Sequence, residues 1–125
     1  MKIYIAGKWE EKNRLKIVKD RVPQKHSVLS SWLEEDEKNG DYWSVTQDKI
    51  IECATRDVRE IKESKLFILD TWPENQRGGR EVEFGVALAS GKETWIVGPR
   101  KNFFHHLCDI HFNNWEDILN ELRNI

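Results

Sequence analysis

Residues 77–92 read RGGREVEFGVALASGK, and shortly before them residues 66–70 read LFILD. An unbroken apolar run of strand length suits a parallel strand covered on both faces. This run ends in a carboxylate, Asp70. A Gly-Gly pair then leads into a helical pattern over Gly79–Ser90, with Glu83 in or near the first turn and Gly91 as its C-terminal stop. A strand, a glycine loop and a returning helix make half of a β-α-β unit, and that reading decides the fold.

The same alternation runs outward in both directions. Lys2–Ala6 reads as a first strand closed by Gly7, and Lys8–Lys19 as a helix with Leu15 and Val18 inward, ended by Pro23. His26–Leu33 reads as a short second strand, and the acidic stretch Glu34–Asp41 as a solvated loop. Over Thr46–Ser64, Ile50, Cys53, Ala54, Val58 and Ile61 recur at helical spacing, with Ser44 or Thr46 as the cap. Glu93–Val97 and Ile110–Phe112 complete the strands. Asn114 caps a last helix that carries Trp115, Ile118, Leu119 and Leu122 on one face. Strands alternating with helices imply right-handed parallel crossovers. The expected architecture is α/β: a flavodoxin-like three-layer sandwich on a five-stranded parallel sheet, order 2-1-3-4-5.

Composition bounds the rest. A chain of 125 residues, 38% apolar and 34% charged, is expected to form one globular domain over 1–125. A net charge of −2 gives no electrostatic case for a nucleic-acid polymer. No apolar run approaches a membrane span, and MKIYIAG enters a strand directly without a signal peptide's apolar segment. Two cysteines, Cys53 and Cys108, are no disulfide framework, so a cytoplasmic setting is expected. The six tryptophans are Trp9, Trp32, Trp43, Trp72, Trp95 and Trp115, most of them read as packing. Trp9 and Trp72 differ, because each follows the C-terminus of a strand, where open parallel sheets bind ligands.

The candidate chemistry lies at that edge. Ala6-Gly7, Asp70 and Gly98-Pro99 converge there, and the helix after Asp70 starts there. A helix N-terminus favours an ionised Glu83 able to act as a nucleophile, with Gly85 leaving room beside it. Asp70 can accept hydrogen bonds from sugar hydroxyls or pass a proton to a leaving base. Two such acids suit the cleavage of a glycosidic bond, whose transition state carries positive charge on the sugar ring. The plain alternative is that Glu83 complements a helix dipole and Asp70 caps a loop. Arg77 and Arg80 flank the glycines. Arg80 shares a helix face with Glu83, as a surface ion pair or as a contact to a substrate phosphate. Arg100 and Asn102 follow the fourth strand and can reach the same edge. His105, His106, Cys108 and His111 do not match paired metal-ligand spacings, so no metal is expected, and packing or a rim loop is the reading.

At these residues the sequence resembles the nucleoside 2-deoxyribosyltransferase family, including its relatives that hydrolyse 2′-deoxynucleoside 5′-monophosphates. The resemblance runs from KIYIAG through REIKESKLFILD and is strongest over GGREVEFGVALASGK, IVGPRKNFFHHL and NWEDILNELR. It implies that Glu83 is the nucleophile and that Asp70 contacts the sugar and assists the base. It also implies that Gly7, Lys8 and Trp9 border the base, with Trp9 as a stacking partner. Gly79 and Arg80 complete the expected substrate-binding set. No cofactor is implied. The implied partners are a nucleoside or nucleotide substrate and further copies of the chain, a homo-oligomer completing each site. The Arg-Gly-Gly-Arg segment departs from the better-known transferases and tilts toward an anionic substrate, whereas the first-strand loop lacks a multi-glycine phosphate cradle. The expected activity is N-glycosidic cleavage that passes the sugar to another base or to water. The rivals are a non-catalytic nucleotide-binding module, an NAD-cleaving enzyme and, weakest, an interaction domain of response-regulator shape, since IYIAGKW lacks that group's acids.

Overall fold

Lys2–Ala6 (β1) and Leu66–Asp70 (β3) form the middle of the sheet, paired in parallel from Ile3↔Leu66 to Ala6↔Leu69. A computed structural model of the chain describes residues 1–35, 45–73 and 78–125. Ser27–Val28 (β2), Glu93–Val97 (β4) and Ile110–Phe112 (β5) complete a five-stranded sheet of order β2-β1-β3-β4-β5, with every neighbouring pair parallel. The helices are Lys12–Arg21 (α1), Gln47–Glu63 (α2), Gly79–Ala89 (α3) and Trp115–Arg123 (α4). Arg21 of α1 bonds Glu116 of α4 on one face of the sheet, while α2 and α3 pack together on the other. This is the expected three-layer sandwich.

Local chemistry accounts for most boundaries. Thr46 Oγ1 accepts the Lys49 N–H at 3.3 Å and starts α2. Asn114 Oδ1 accepts the Asp117 N–H at 2.9 Å and starts α4. Gly91, with φ of +69°, stops α3 in the left-handed region open to glycine. Pro23 favours extended backbone at Val22, and α1 ends there. The other cap proposed for α2, Ser44, lies outside the described residues, as do Trp43, Arg77 and residues 36–41 of the acidic stretch.

Two expectations need correction. The first helix does not run from residue 8: Trp9–Glu11 form a 3₁₀ turn and the α-helix begins at Lys12. The second strand is not His26–Leu33, for pairing stops after Val28 and Ser31–Glu34 turn into a 3₁₀ helix. Side chains take over the edge of β1 at that point. Ser30 Oγ accepts the Ile5 N–H at 2.6 Å, and Trp32 Nε1 donates to the Ile5 carbonyl at 2.8 Å. With those backbone groups satisfied, no strand ladder is needed.

Alternation along the strands sorts the core into two faces. Tyr4 and Phe67 point toward α2 and α3. Their rings stack at 5.8 Å with planes 6° apart, and Phe84 of α3 lies 6.2 Å beyond. Phe67 is completely buried. Removing its ring leaves a cavity beneath Tyr4, so Phe67→Ala should cost about 3–5 kcal/mol of unfolding free energy, measured by guanidinium titration. A change below about 1 kcal/mol would contradict this packing.

Candidate functional site

Gly78, at φ +79°, precedes α3 and offers no side-chain cap; its carbonyl accepts the N–H groups of Glu81 and Val82. Counting from Gly79, Glu83 is the fifth helical residue, just past the first turn. The acid in the first turn is Glu81, and His105 engages it at 2.8 Å. His105 is completely buried and its Nδ1 accepts the Lys101 N–H at 2.9 Å, so Nε2 carries the proton given to Glu81. His105 thus packs, edge-on to Phe84 at 5.7 Å. Asn102 caps the turn that carries it. His111 bonds the Gly98 carbonyl at 2.6 Å. Among the described residues no three His, Cys, Asp or Glu side chains gather as a metal site.

Glu83 is half-buried, and its carboxyl accepts a short hydrogen bond from the Tyr4 hydroxyl. Burial pushes the Glu83 carboxyl up to about 8; the Tyr4 hydrogen bond opposes this, Asp57 adds to it, Arg56 opposes it and Glu60 adds to it. The expectation of a dipole-held carboxylate is therefore overturned. The macrodipole acts within the first turn, whereas Glu83 lies beyond it, against the sheet and beside the acids of α2. Burial, reinforced by Glu83, likewise drives the Tyr4 hydroxyl well above its usual range. In α2, Arg56 bonds Glu35 and Asp57, the latter at 2.9 Å, while Glu60 accepts the Ser31 N–H at 3.0 Å and the Ser31 hydroxyl.

Asp70 lies elsewhere. It is completely buried and stands three residues after Phe67, so it points to the opposite face of the sheet. Its Oδ2 accepts Arg14 Nη1 of α1 at 2.9 Å and Trp115 Nε1 of α4 at 2.7 Å, and its Oδ1 accepts the Trp72 N–H at 2.9 Å. The structure thus does not bring the two acids into one hollow. Glu83 belongs to a network on the α2–α3 face and Asp70 to one on the α1–α4 face, because Asp70 and Tyr4, the strand partner of Glu83, point to opposite faces of the sheet.

The other expected residues divide similarly. Arg80 is 3% exposed rather than a surface ion pair. It donates to the carbonyls of Asp70 at 3.1 Å and Trp72 at 3.2 Å, and to that of Pro73. Gly7 is required by packing, since a Cβ there would stand 2.4 Å from Leu15 Cδ1. Lys8 is half-buried beside it. Trp9 tilts against Trp32 at 6.1 Å, with the Lys12 ammonium 4.7 Å from its ring centre. No described atom lies within 4 Å of a Cβ at Gly79 or Gly85. Trp72 is 49% exposed over Gly98, where φ is +102° and a Cβ would meet the indole Nε1 at 2.7 Å.

Sequence reasoning missed Tyr4, Arg14, Trp115 and the α2 group Arg56, Asp57 and Glu60. Tyr4 carried a signal, being the one polar-tipped side chain in the buried run Ile3–Ala6 and so in need of a buried partner. The α2 charges carried none, because they sit in a run that reads equally well as a solvated face.

No protein-family model matches the chain, and no curated protein matches it in sequence. Its fold is shared with solved structures. A 2-deoxyribosyltransferase from the psychrotolerant bacterium Bacillus psychrosaccharolyticus is 18% identical with a TM-score of 0.69, over 96% of this chain and 91% of that one. A CMP N-glycosidase of Clostridium botulinum is 20% identical with a TM-score of 0.65, over the whole of both chains. A conserved protein of Enterococcus faecalis V583 is 16% identical with a TM-score of 0.71, over 99% of this chain and 98% of that one. At these identities the likeness establishes the fold: a flavodoxin-like α/β sandwich. No helix among the described residues is long and apolar enough to cross a membrane.

The weakened acidity of Glu83 has a stability consequence. The folded state holds a proton at Glu83 up to about pH 8, whereas the unfolded chain releases it near 4.5. Between those values the folded state binds more protons, so this group's contribution to stability is full below pH 4.5 and is lost as pH rises through 8. Glu83→Gln should flatten the fall in unfolding free energy across that window and leave the variant more stable than the parent at pH 9. Parallel slopes for the two proteins in denaturant titrations across this range would contradict it.

Proposed function

We propose that this chain cleaves the N-glycosidic bond of (deoxy)nucleosides or their 5′-monophosphates through a covalent glycosyl intermediate on Glu83. One observation carries the reading: a half-buried glutamate of α3 whose carboxyl is held by the buried Tyr4 hydroxyl of the sheet's central strand pair. The enzymes named by two structures of the same fold, a 2-deoxyribosyltransferase and a CMP N-glycosidase, support it.

In the proposed reaction ionised Glu83 attacks the anomeric carbon. The carbon–nitrogen bond breaks, its electron pair leaves with the base, and the base takes a proton from water at the rim. Water or a second base then attacks the same carbon and gives up its proton to the hydroxide left when the first base was protonated. The bond to Glu83 breaks and the carboxylate is restored, with net retention at the sugar. No bond in this sequence needs a redox or organic cofactor. Tyr4 steadies the carboxyl oxygen that does not bond the sugar. Asp70, expected to assist the base, instead steadies the rim by holding the Trp72 N–H. Trp9 and Trp72, both at C-terminal strand ends, are the aromatic surfaces offered to a base. Since the nucleophile must ionise from a carboxyl near 8, turnover per free enzyme rises with pH toward a plateau above that value.

A panel of deoxynucleosides, ribonucleosides and their 5′-monophosphates, with and without a second free base, tests the reading by chromatography of released base. Free base alone means hydrolysis, and a new nucleoside means transfer. Glu83→Ala should lower base release by about 10³-fold or more while ligand binding persists. Wild-type-level release by that variant would remove Glu83 as the nucleophile; no release from any substrate by the parent would leave the non-catalytic nucleotide-binding module as the better account.

We also propose that the chain assembles with copies of itself. Val82 on α3 and Phe103, Phe104 and Leu107 on the turn bonded to it through Glu81 and His105 are all exposed, Phe103 by 92%. Apolar surface of this kind marks interaction sites. Light scattering should find a dimer or larger species that Phe103→Ser with Phe104→Ser converts to monomer; a monomeric parent would reject this assembly.

A further inference from the structure

Among the described residues, the start of α3 has no side-chain cap. It opens on Gly78 and Gly79, the first in the left-handed region, with no described atom within 4 Å of either Cβ position. Glycine is the most permissive residue in backbone angle, so this entry is free to shift. Glu83 lies only one turn further along. Something else must hold that turn against the sheet.

We propose that Arg80 is a positioning residue for Glu83. Its guanidinium bolts the first turn of α3 to the chain leaving β3, through the carbonyls of Asp70, Trp72 and Pro73. Charge-assisted bonds from a planar fork fix direction as well as distance, which an ammonium on a flexible stem cannot do. The anchor point is itself immobile. The Asp70 carbonyl belongs to a strand end whose side chain is bound to α1, α4 and the Trp72 N–H. Arg80 and the buried Phe84 and Ala87 form the inner face of α3, and Glu83 emerges beside that face toward Tyr4. Arg80 thus replaces the missing cap and sets where the Glu83 carboxyl stands against an incoming sugar.

The inference rests on the reading of Glu83 as nucleophile, and its test separates the two. In the full chain, Arg80→Ala should lower kcat for base release by about 10²-fold, the scale of a misplaced reacting group, with KM changed by less than about threefold. Added guanidinium at non-denaturing concentration should restore part of kcat in Arg80→Ala and none in Glu83→Ala. Arg80→Lys should fold, melt near the parent and remain slow. If Arg80→Ala does not fold, Arg80→Lys decides alone. Parent-like kcat in Arg80→Lys would overturn the inference. So would a lowered melting temperature with unchanged kcat per folded molecule and no guanidinium rescue, since that is a merely structural role. Full activity of Glu83→Ala would instead overturn the catalytic reading on which the inference stands.

Discussion

A carboxylate completely buried at the end of the central strand is tolerable only if its lone pairs are filled, and Asp70 fills them with an arginine, an indole and a backbone N–H. Each donor comes from a different part of the chain: α1, α4 and the segment leaving β3. Its carbonyl takes a further bond from α3 through Arg80. Both helical layers are therefore tied at one residue of one strand. An unpaired charge at that depth costs several kcal/mol, so the four attachments stand or fall together.

The second acid is held in the opposite manner. Glu83 meets a neutral hydroxyl, is crowded by Asp57 and Glu60, and is only partly balanced by Arg56. Its environment resists charge, and the helix dipole is too distant to help. A carboxyl that ionises reluctantly beside an open surface is available for chemistry in a way that Asp70 is not. The two acids that look alike in sequence thus have different environments, one rich in donors and one resisting charge, set by which face of the sheet each meets.

The glycines around α3 sharpen the contrast. Gly78 and Gly79 leave the helix entry bare, and Gly85 leaves its outer surface open. Gly7 and Gly98 serve packing instead, since side chains there would collide with Leu15 and with Trp72. Arg80 ties that helix start to the chain leaving β3 from within the core.

The architecture was legible along the chain. Strand-length apolar runs, helical spacing in α2 and α4, and caps at Thr46, Asn114 and Gly91 are local signals, and local physics suffices to read them. The distinctive acid that α3 carries beside glycines was legible too. Sequence reasoning misread the second strand because Ser30 and Trp32 satisfy the β1 edge with side chains, a contact between residues 25 and 27 apart. Only the tertiary structure decided which acids share an environment. Whether Asp70 and Glu83 meet depends on the face each side chain takes and on partners 45 to 79 residues away, Trp115, Arg14 and Tyr4. Burial and hydrogen bonding across such separations set the charge of each group, and no pattern along the chain encodes them.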